Sequence, residues 1–330
     1  MGCGAIAEKW HAKALKAVGW KPCHLVDKDE TRTGALHRAF PRATVHRSHE
    51  DILGEVDFAI IAVPHKLHAP IATQFLENGA HVFVEKPMAT SADECASLLE
   101  TMQETNRHLA VGLMRRFSDG ARAVKAFMET GALGPITRVE AREGGPYGWP
   151  IVSKSFWAPE SGGVLLDTGA HTLDLLAWWL GEPDVVRYQD DSYGGVEAEC
   201  RIELSFSGAS GLVELSRTRS LSGMAVIEGE NGCLQVDLVK GTVEATPGSL
   251  LGGRSIKATG FADLYKRQAR DLLRVAKTGE APEVSGESAT ASVSIIEKCY
   301  ARRERLELPW VQPMRTGERS EVEGLTCEPQ

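Results

Sequence analysis

Apolar positions along the chain follow two rhythms, and the change between them falls near residue 118. In the first part, short and almost continuous apolar runs, HLVD at 24–27, VDFAIIAVP at 56–64 and HVFVEKP at 81–87, predict strands buried on both faces. Helical spacing fills the intervals at 8–18, 30–39, 66–78 and 91–105. Ser91 with Glu94 three residues on is a capping box that starts the last of these, and Asn78-Gly79 stops the one before. Strands alternating with helices predict βαβ units and a parallel sheet.

The second rhythm begins with a helix over 118–134 ended by glycine and a strand over 136–144 in which polar and apolar residues alternate. Further alternating runs at 184–190, 196–207, 210–218, 223–229 and 232–239, with the turn EGENG at 228–232, predict an open antiparallel sheet with one covered face. Helices return at 261–277 and 288–304. The Gly, Ser and Thr-rich stretch 241–258 reads as a loop, and the polar residues 312–330 as a poorly ordered tail. The fold class expected is α/β: a dinucleotide-binding domain over 1–118, then an α+β domain over 119–311 with an open, mainly antiparallel sheet.

Length and composition agree, since 330 residues with 42% hydrophobic content suffice for two cores. A net charge of −8 without any basic cluster excludes a nucleic-acid partner. The apolar runs fall short of a bilayer span, so no membrane role is expected and the chain reads as cytoplasmic. Seven scattered cysteines give neither a disulfide framework nor a metal site.

Ahead of the first helix stands Gly2-x-Gly4-x-x-Ala7, with Ala5 and Ile6 inside it. Such glycines let backbone N–H groups approach a pyrophosphate at a helix N-terminus, although a simple tight turn would use them equally well. Asp27, 23 residues beyond Gly4 at the end of the next strand, can accept hydrogen bonds from the adenosine ribose. Together they predict a nicotinamide dinucleotide, NAD before NADP because Asp27 repels a 2′-phosphate; Lys28 and Arg32 leave NADP possible. Only Met1 precedes the glycines, so the expectation is a Rossmann sheet whose central first strand is truncated, leaving a slot between two parallel strands.

Candidate chemistry falls in three further places. Pro64, His65 and His68 follow the second predicted strand, and Glu85, Lys86 and Pro87 end the third, at the carboxyl edge where parallel sheets hold ligands. Pro87 restricts the backbone of Lys86 and so aims its ammonium group. In SGGVLLDTGAHTLDLLAWWLG, 161–181, Asp167, His171 and Asp174 recur at helical spacing on one face. Asp167 and His171 suit a proton-transfer pair, or an N-cap and a core histidine. Arg115 and Arg116 either bind substrate or brace the domains, while Tyr147 and Trp149 are candidate pocket walls.

The order of these motifs, Gly-x-Gly-x-x-Ala, Pro64 with His68, Glu85-Lys86-Pro87, MRRF at 114–117 and Gly-Gly-x-x-x-Asp-x-Gly-x-His, resembles the Gfo/Idh/MocA family of sugar and cyclitol oxidoreductases over about residues 1–305. The resemblance implies catalytic roles for Lys86, His171 and Asp167. It implies a sugar or polyol substrate touching Lys86, Asp167 and His171, to which Arg115, Tyr147 and Trp149 are added as candidate substrate contacts. The cofactor would lie along Gly2, Gly4, Ala5, Ile6, Asp27, Pro64, His65, His68, Glu85 and Lys86, and a dimer or tetramer would form through the C-terminal sheet. Three activities stay open: NAD(P)-dependent dehydrogenation or reduction, redox-neutral elimination or epimerisation with held NAD, and a non-catalytic regulator. The departures are the short N-terminus and Ser161, where a third glycine is common.

Overall fold

The computed structural model describes residues 1–146, 148, 162–192, 195–253 and 255–307. Tyr147, Trp149 and the predicted tail lie outside them. A π turn (Ala7–His11) runs into α1 (Ala12–Ala17), followed by β1 (His24–Val26), α2 (Glu30–Ala39), β2 (Thr44–His46), β3 (Phe58–Ile61), α3 (His68–Glu77), β4 (His81–Val84), α4 (Ala92–Glu104) and β5 (Leu109–Val111). Ser91 caps α4 by accepting from Glu94 N, whereas the Glu94 carboxylate reaches back to Thr90 instead of Ser91. Gly79, with φ +86°, follows the end of α3 as its sequence predicts. The expected strands appear within a few residues of their predicted bounds. β2 and β5, three residues each, are too short to leave a periodicity.

All pairings in this half are parallel, but they form two sheets, β1-β2 and β3-β4-β5. Between them Met1 and Gly2 occupy a strand position: the Met1 amine donates to Ile60 O, Ala62 N donates to Met1 O, and Gly2 N donates to Val26 O. Beyond Met1 the slot is a cavity of about 610 Å³ lined by Leu25, Val26, Phe58, Ile60, Phe75 and others. Gly2 sits at φ +75°, and a Cβ there would lie 2.2 Å from Ala62 O, so only glycine fits.

The second half comprises α5 (Asp119–Glu129), β6 (Ile136–Gly144), a π turn (Leu165–Gly169) continuing as α6 (Ala170–Leu180), β7 (Asp184–Asp190), β8 (Glu199–Phe206), β9 (Ala209–Ser216), β10 (Met224–Gly229), β11 (Gly232–Asp237), β12 (Val243–Thr246), α7 (Phe261–Thr278), α8 (Gly286–Ala301) and β13 (Arg303–Arg305). Among the described residues, eight strands form one sheet in the order β12-β11-β10-β6-β9-β8-β7-β13, antiparallel except at β6-β9 and β13-β7. Glu230-Asn231 make the hairpin between β10 and β11, where Gly229 faces Gly232. The stretch expected as a loop contains β12, because Val243–Thr246 pairs with β11; its small polar residues hide that strand. One face carries Val139, Ala141, Ile202, Val213 and Ile227 into a core shared with Leu173, Leu176 and Ile295 of the covering helices. The other face carries ion pairs such as Arg138 with Glu140 and Arg142 with Glu214.

The first core is not confined to the first 118 residues. Leu264, Tyr265 and Ala269 of α7, with Ala289 and Val293 of α8, pack into it. The chain thus returns to its N-terminal half after completing the large sheet, and this brings Tyr265 of α7 near Glu85, Asp167 and Arg115.

Candidate active site

Lys86 leaves the carboxyl end of β4 beside a cis peptide to Pro87. Its ammonium crosses to the second half, donating to Asp167 Oδ1 at 2.6 Å and to Asp167 O at 2.9 Å. Arg217, just past β9, donates to the other oxygen, Asp167 Oδ2, at 2.9 Å. Burial pushes the Asp167 carboxyl up, but the Lys86 and Arg217 cations outweigh it and hold the group well below the usual carboxylate range. Asp167 is therefore an anion clamped between two cations.

His171 begins the second turn after Asp167 and is buried. Its Nδ1 has no hydrogen-bond partner among the described residues. Burial, then the Lys86 and Arg115 cations, lower its pKa well below 6.5, so it is a neutral imidazole at pH 7. The expected bond from Asp167 to this ring is not formed. Asp167 lies in the π segment and turns its oxygens to Lys86 and Arg217, so the two side chains share the cleft without pairing.

The wall behind them is braced. Arg115 makes a bidentate pair with Glu143 of β6, at 2.7 and 2.6 Å, and Thr172 donates to the same Glu143 at 2.8 Å. Arg116 makes a bidentate pair with Asp174, at 2.9 and 2.5 Å, and reaches Ser288 of α8. Arg116 and Asp174 are thus structural. Arg115 lies close enough to Asp167 and His171 for their charges to act on one another. Gly163 explains half of the Gly-Gly motif: a Cβ there would lie 2.0 Å from Glu197 O. Glu197 Oε1 accepts from Gly163 N, Leu165 N and the Tyr300 hydroxyl, fixing the first turn of the helix that carries Asp167 and His171.

On the cofactor side, the chain becomes helical at Ala5-Ile6, and Glu8 N donates to Gly4 O. A Cβ on Gly4 would meet nothing within 4 Å, so the helix start is open for a phosphate to approach. Asp27 Oδ2 accepts from Cys3 N at 2.8 Å, joining the glycine turn to the end of β1. These residues fit a dinucleotide. Beyond the end of β3, Pro64 leads into the short 3₁₀ turn His65–Leu67. His68 is fully buried, its ring between Pro87 O and Val63 O, and Glu85 is tied to His11; both hold the cleft together from behind.

Sequence reasoning missed Arg217, Glu143, Thr172, His11 and Glu197. Each lies far along the chain from the residue it touches, and none sits in a motif. His11 alone carried a signal, as a histidine on the helix after the glycine turn.

Comparison with known proteins gives the family of the chain. Residues 1–113 match the Oxidoreductase family, NAD-binding Rossmann fold, and residues 121–235 match the GFO/IDH/MocA C-terminal domain. The chain belongs to the GFO/IDH/MocA oxidoreductases, and its first domain is that family's NAD-binding fold. It is 25% identical over 324 residues to D-xylose 1-dehydrogenase (NADP(+)) 2 of Haloferax volcanii, covering 92% of this chain and 96% of that protein. It is 24% identical over 265 residues to scyllo-inositol 2-dehydrogenase (NAD(+)) of Bacillus subtilis, 73% of each. Among solved structures, the WlbA dehydrogenase of Bordetella pertussis, in complex with NADH and UDP-GlcNAcA, superposes with a TM-score of 0.78 at 20% identity over 91% of this chain and 93% of that one. Aldose-aldose oxidoreductase of Caulobacter crescentus gives 0.78 at 22% identity over 92% and 95%. No helix among the described residues is long and apolar enough to cross a membrane.

Proposed function

We propose that this protein is an NAD-dependent dehydrogenase or ketoreductase acting on a secondary alcohol or ketone of a sugar, glycoside, sugar nucleotide or cyclitol. The observation that carries the reading is that Lys86, its ammonium held by the Asp167 anion, and His171, a buried uncharged imidazole one helical turn beyond Asp167, come together where the two halves meet. Bound nicotinamide supplies the hydride acceptor, or the donor in the reverse direction. In oxidation, His171 removes the hydroxyl proton of the reacting carbon, which a neutral ring can do and an imidazolium cannot. Lys86, held by Asp167, donates to the oxygen as negative charge develops there. Arg115, Tyr147 and Trp149 are assigned to the substrate side. Gly2, Gly4, Ala5, Ile6, Asp27, Pro64 and His65 are assigned to the cofactor.

NAD is favoured over NADP. Asp27 at the end of β1 would repel a 2′-phosphate, and Arg32 nearby pairs with Asp29, while Lys28 keeps NADP within reach. The open face of the large sheet is assigned to self-association as a dimer or tetramer, through charged more than apolar contacts. Light scattering tests that state. The activity is tested by offering D-xylose, other aldoses, myo-inositol and scyllo-inositol with NAD and with NADP and following absorbance of the reduced nicotinamide. Turnover with added NAD supports the proposal; no turnover together with NAD that copurifies contradicts it and favours the redox-neutral alternative.

A further inference from the structure

Two buried histidines flank the turn that carries Lys86, and neither touches its ammonium. His11 comes from the π turn after the glycines, its ring edge-on to Phe83 and Tyr265 at centroid distances of 5.5 and 5.4 Å. His11 Nε2 lies 2.6 Å from Glu85 Oε1, while Glu85 Oε2 accepts from Lys86 N at 3.2 Å. Gly112 backs the Glu85 carboxylate: a Cβ there would lie 2.7 Å from Glu85 Oε2, so only glycine leaves the carboxylate its place. On the other side His68, the first residue of α3, lies with Nδ1 2.7 Å from Pro87 O and Nε2 2.8 Å from Val63 O. One imidazole therefore grips the residue before Lys86 and the other grips the residue after it.

We propose that His11 and His68 are positioning residues for Lys86, fixing the main chain on both sides so that its ammonium meets the reacting oxygen. The need follows from the side chain itself. Lysine carries a point charge on a flexible four-carbon stem, so its aim depends on a fixed base and on the far contact at Asp167. Misplacement of a reacting group by about 1 Å costs about a hundredfold in rate. His11 sits on the helix that follows the open glycine turn and His68 on the helix that follows β3. The same elements that border the cofactor site thereby also register Lys86 against it. The inference rests on the proposed function, in which Lys86 contacts the reacting oxygen.

The test compares His11→Ala, His11→Gln, His68→Ala and Lys86→Ala. It uses steady-state kinetics on whichever of D-xylose or myo-inositol the parent oxidises, with NADH affinity from fluorescence quenching. Both histidine-to-alanine variants are expected to lose about 10- to 100-fold in kcat while KM and the NADH dissociation constant stay within about threefold, and His11→Gln, which can still donate to Glu85, is expected to recover most of the loss. Parent-like kcat in both alanine variants, or loss confined to KM or to NADH affinity, overturns the inference. Should His68→Ala fail to fold, the His11 pair decides alone. Lys86→Ala at the parent rate would instead defeat the reading of the site itself. If the parent oxidises neither compound, a crystal structure of His11→Ala decides: displacement of Lys86 Nζ from its 2.6 Å contact with Asp167 Oδ1 is expected, and its retention overturns the inference.

Discussion

Lys86 of the first domain and Asp167 of the second are joined by two hydrogen bonds, one to the carboxylate at 2.6 Å and one to the main-chain carbonyl at 2.9 Å. The second bond ties the ammonium to the backbone of the helix that carries His171, so the donor and the proton acceptor of the proposed reaction share one frame. Asp167→Asn keeps the size of the side chain and the main-chain contact but removes the charge. The expected result is a fall in kcat/KM of about 2 to 4 kcal/mol with NADH affinity retained, measured by steady-state kinetics and fluorescence titration.

The neutral state of His171 has a visible pH consequence. Its pKa in the fold lies below the ordinary 6.5, through burial first and then the Lys86 and Arg115 cations. A base must be deprotonated to act, and a lowered pKa keeps it so at more acid pH. The acid limb of kcat/KM for oxidation is therefore expected below pH 6.5, and a limb at or above that value attributable to His171 would contradict the assignment. Stability has the same sign: below pH 6.5 the unfolded chain takes up a proton that folded His171 refuses, so this residue makes the fold less stable as pH falls toward its folded pKa.

Arg116 and Asp174 are nearly sealed, their side chains 5% and 2% exposed. Burial pushes the Asp174 carboxyl up by more than the Arg116 cation and its hydrogen bonds pull it down. Arg116→Met leaves an unpaired buried acid and is expected to cost about 3 to 5 kcal/mol in denaturant unfolding, whereas the double variant Arg116→Met/Asp174→Leu is expected to recover much of it.

The slot between β1 and β3 gives a prediction independent of activity. In a parallel ladder alternate residues point their N–H and C=O groups to opposite edges, and Phe58, Ile60, His24 and Val26 turn theirs toward the slot. A six-residue Val- and Ile-rich segment placed ahead of Met1 has room to continue the strand begun by Met1 and Gly2. The melting temperature is expected to rise by about 5 °C or more in a thermal melt, from new ladder bonds and buried apolar area. A control segment of equal length rich in Gly and Ser is expected to give no rise.

Most of the fold is legible because its signals are local. Continuous apolar runs marked β3 and β4, alternation marked β6 to β11, and Asn78-Gly79 and EGENG placed their turns correctly. β2, β5, β12 and β13 are not legible in the sequence, being strands only through their partners; Arg303–Arg305 falls partly inside the helix expected at 288–304. The site divides in the same way. Lys86, Asp167 and His171 stand in short motifs whose residue types announce chemistry. Their relation to one another does not: both Asp167 oxygens are taken by cations from other elements, Lys86 and Arg217, so the acid does not pair with His171 one turn away. Arg217 and Glu143 come from strand ends brought to the cleft by the large sheet, a three-dimensional proximity that no spacing encodes.

The central claim is that Lys86 acts on the reacting oxygen and not merely on the fold. Its most direct test is the single-turnover rate of nicotinamide reduction at saturating NAD and sugar for Lys86→Ala against the parent, with folding checked by thermal melt. The account predicts a rate lower by about 30- to 1,000-fold in a variant that still binds NADH. A rate equal to the parent's would contradict it.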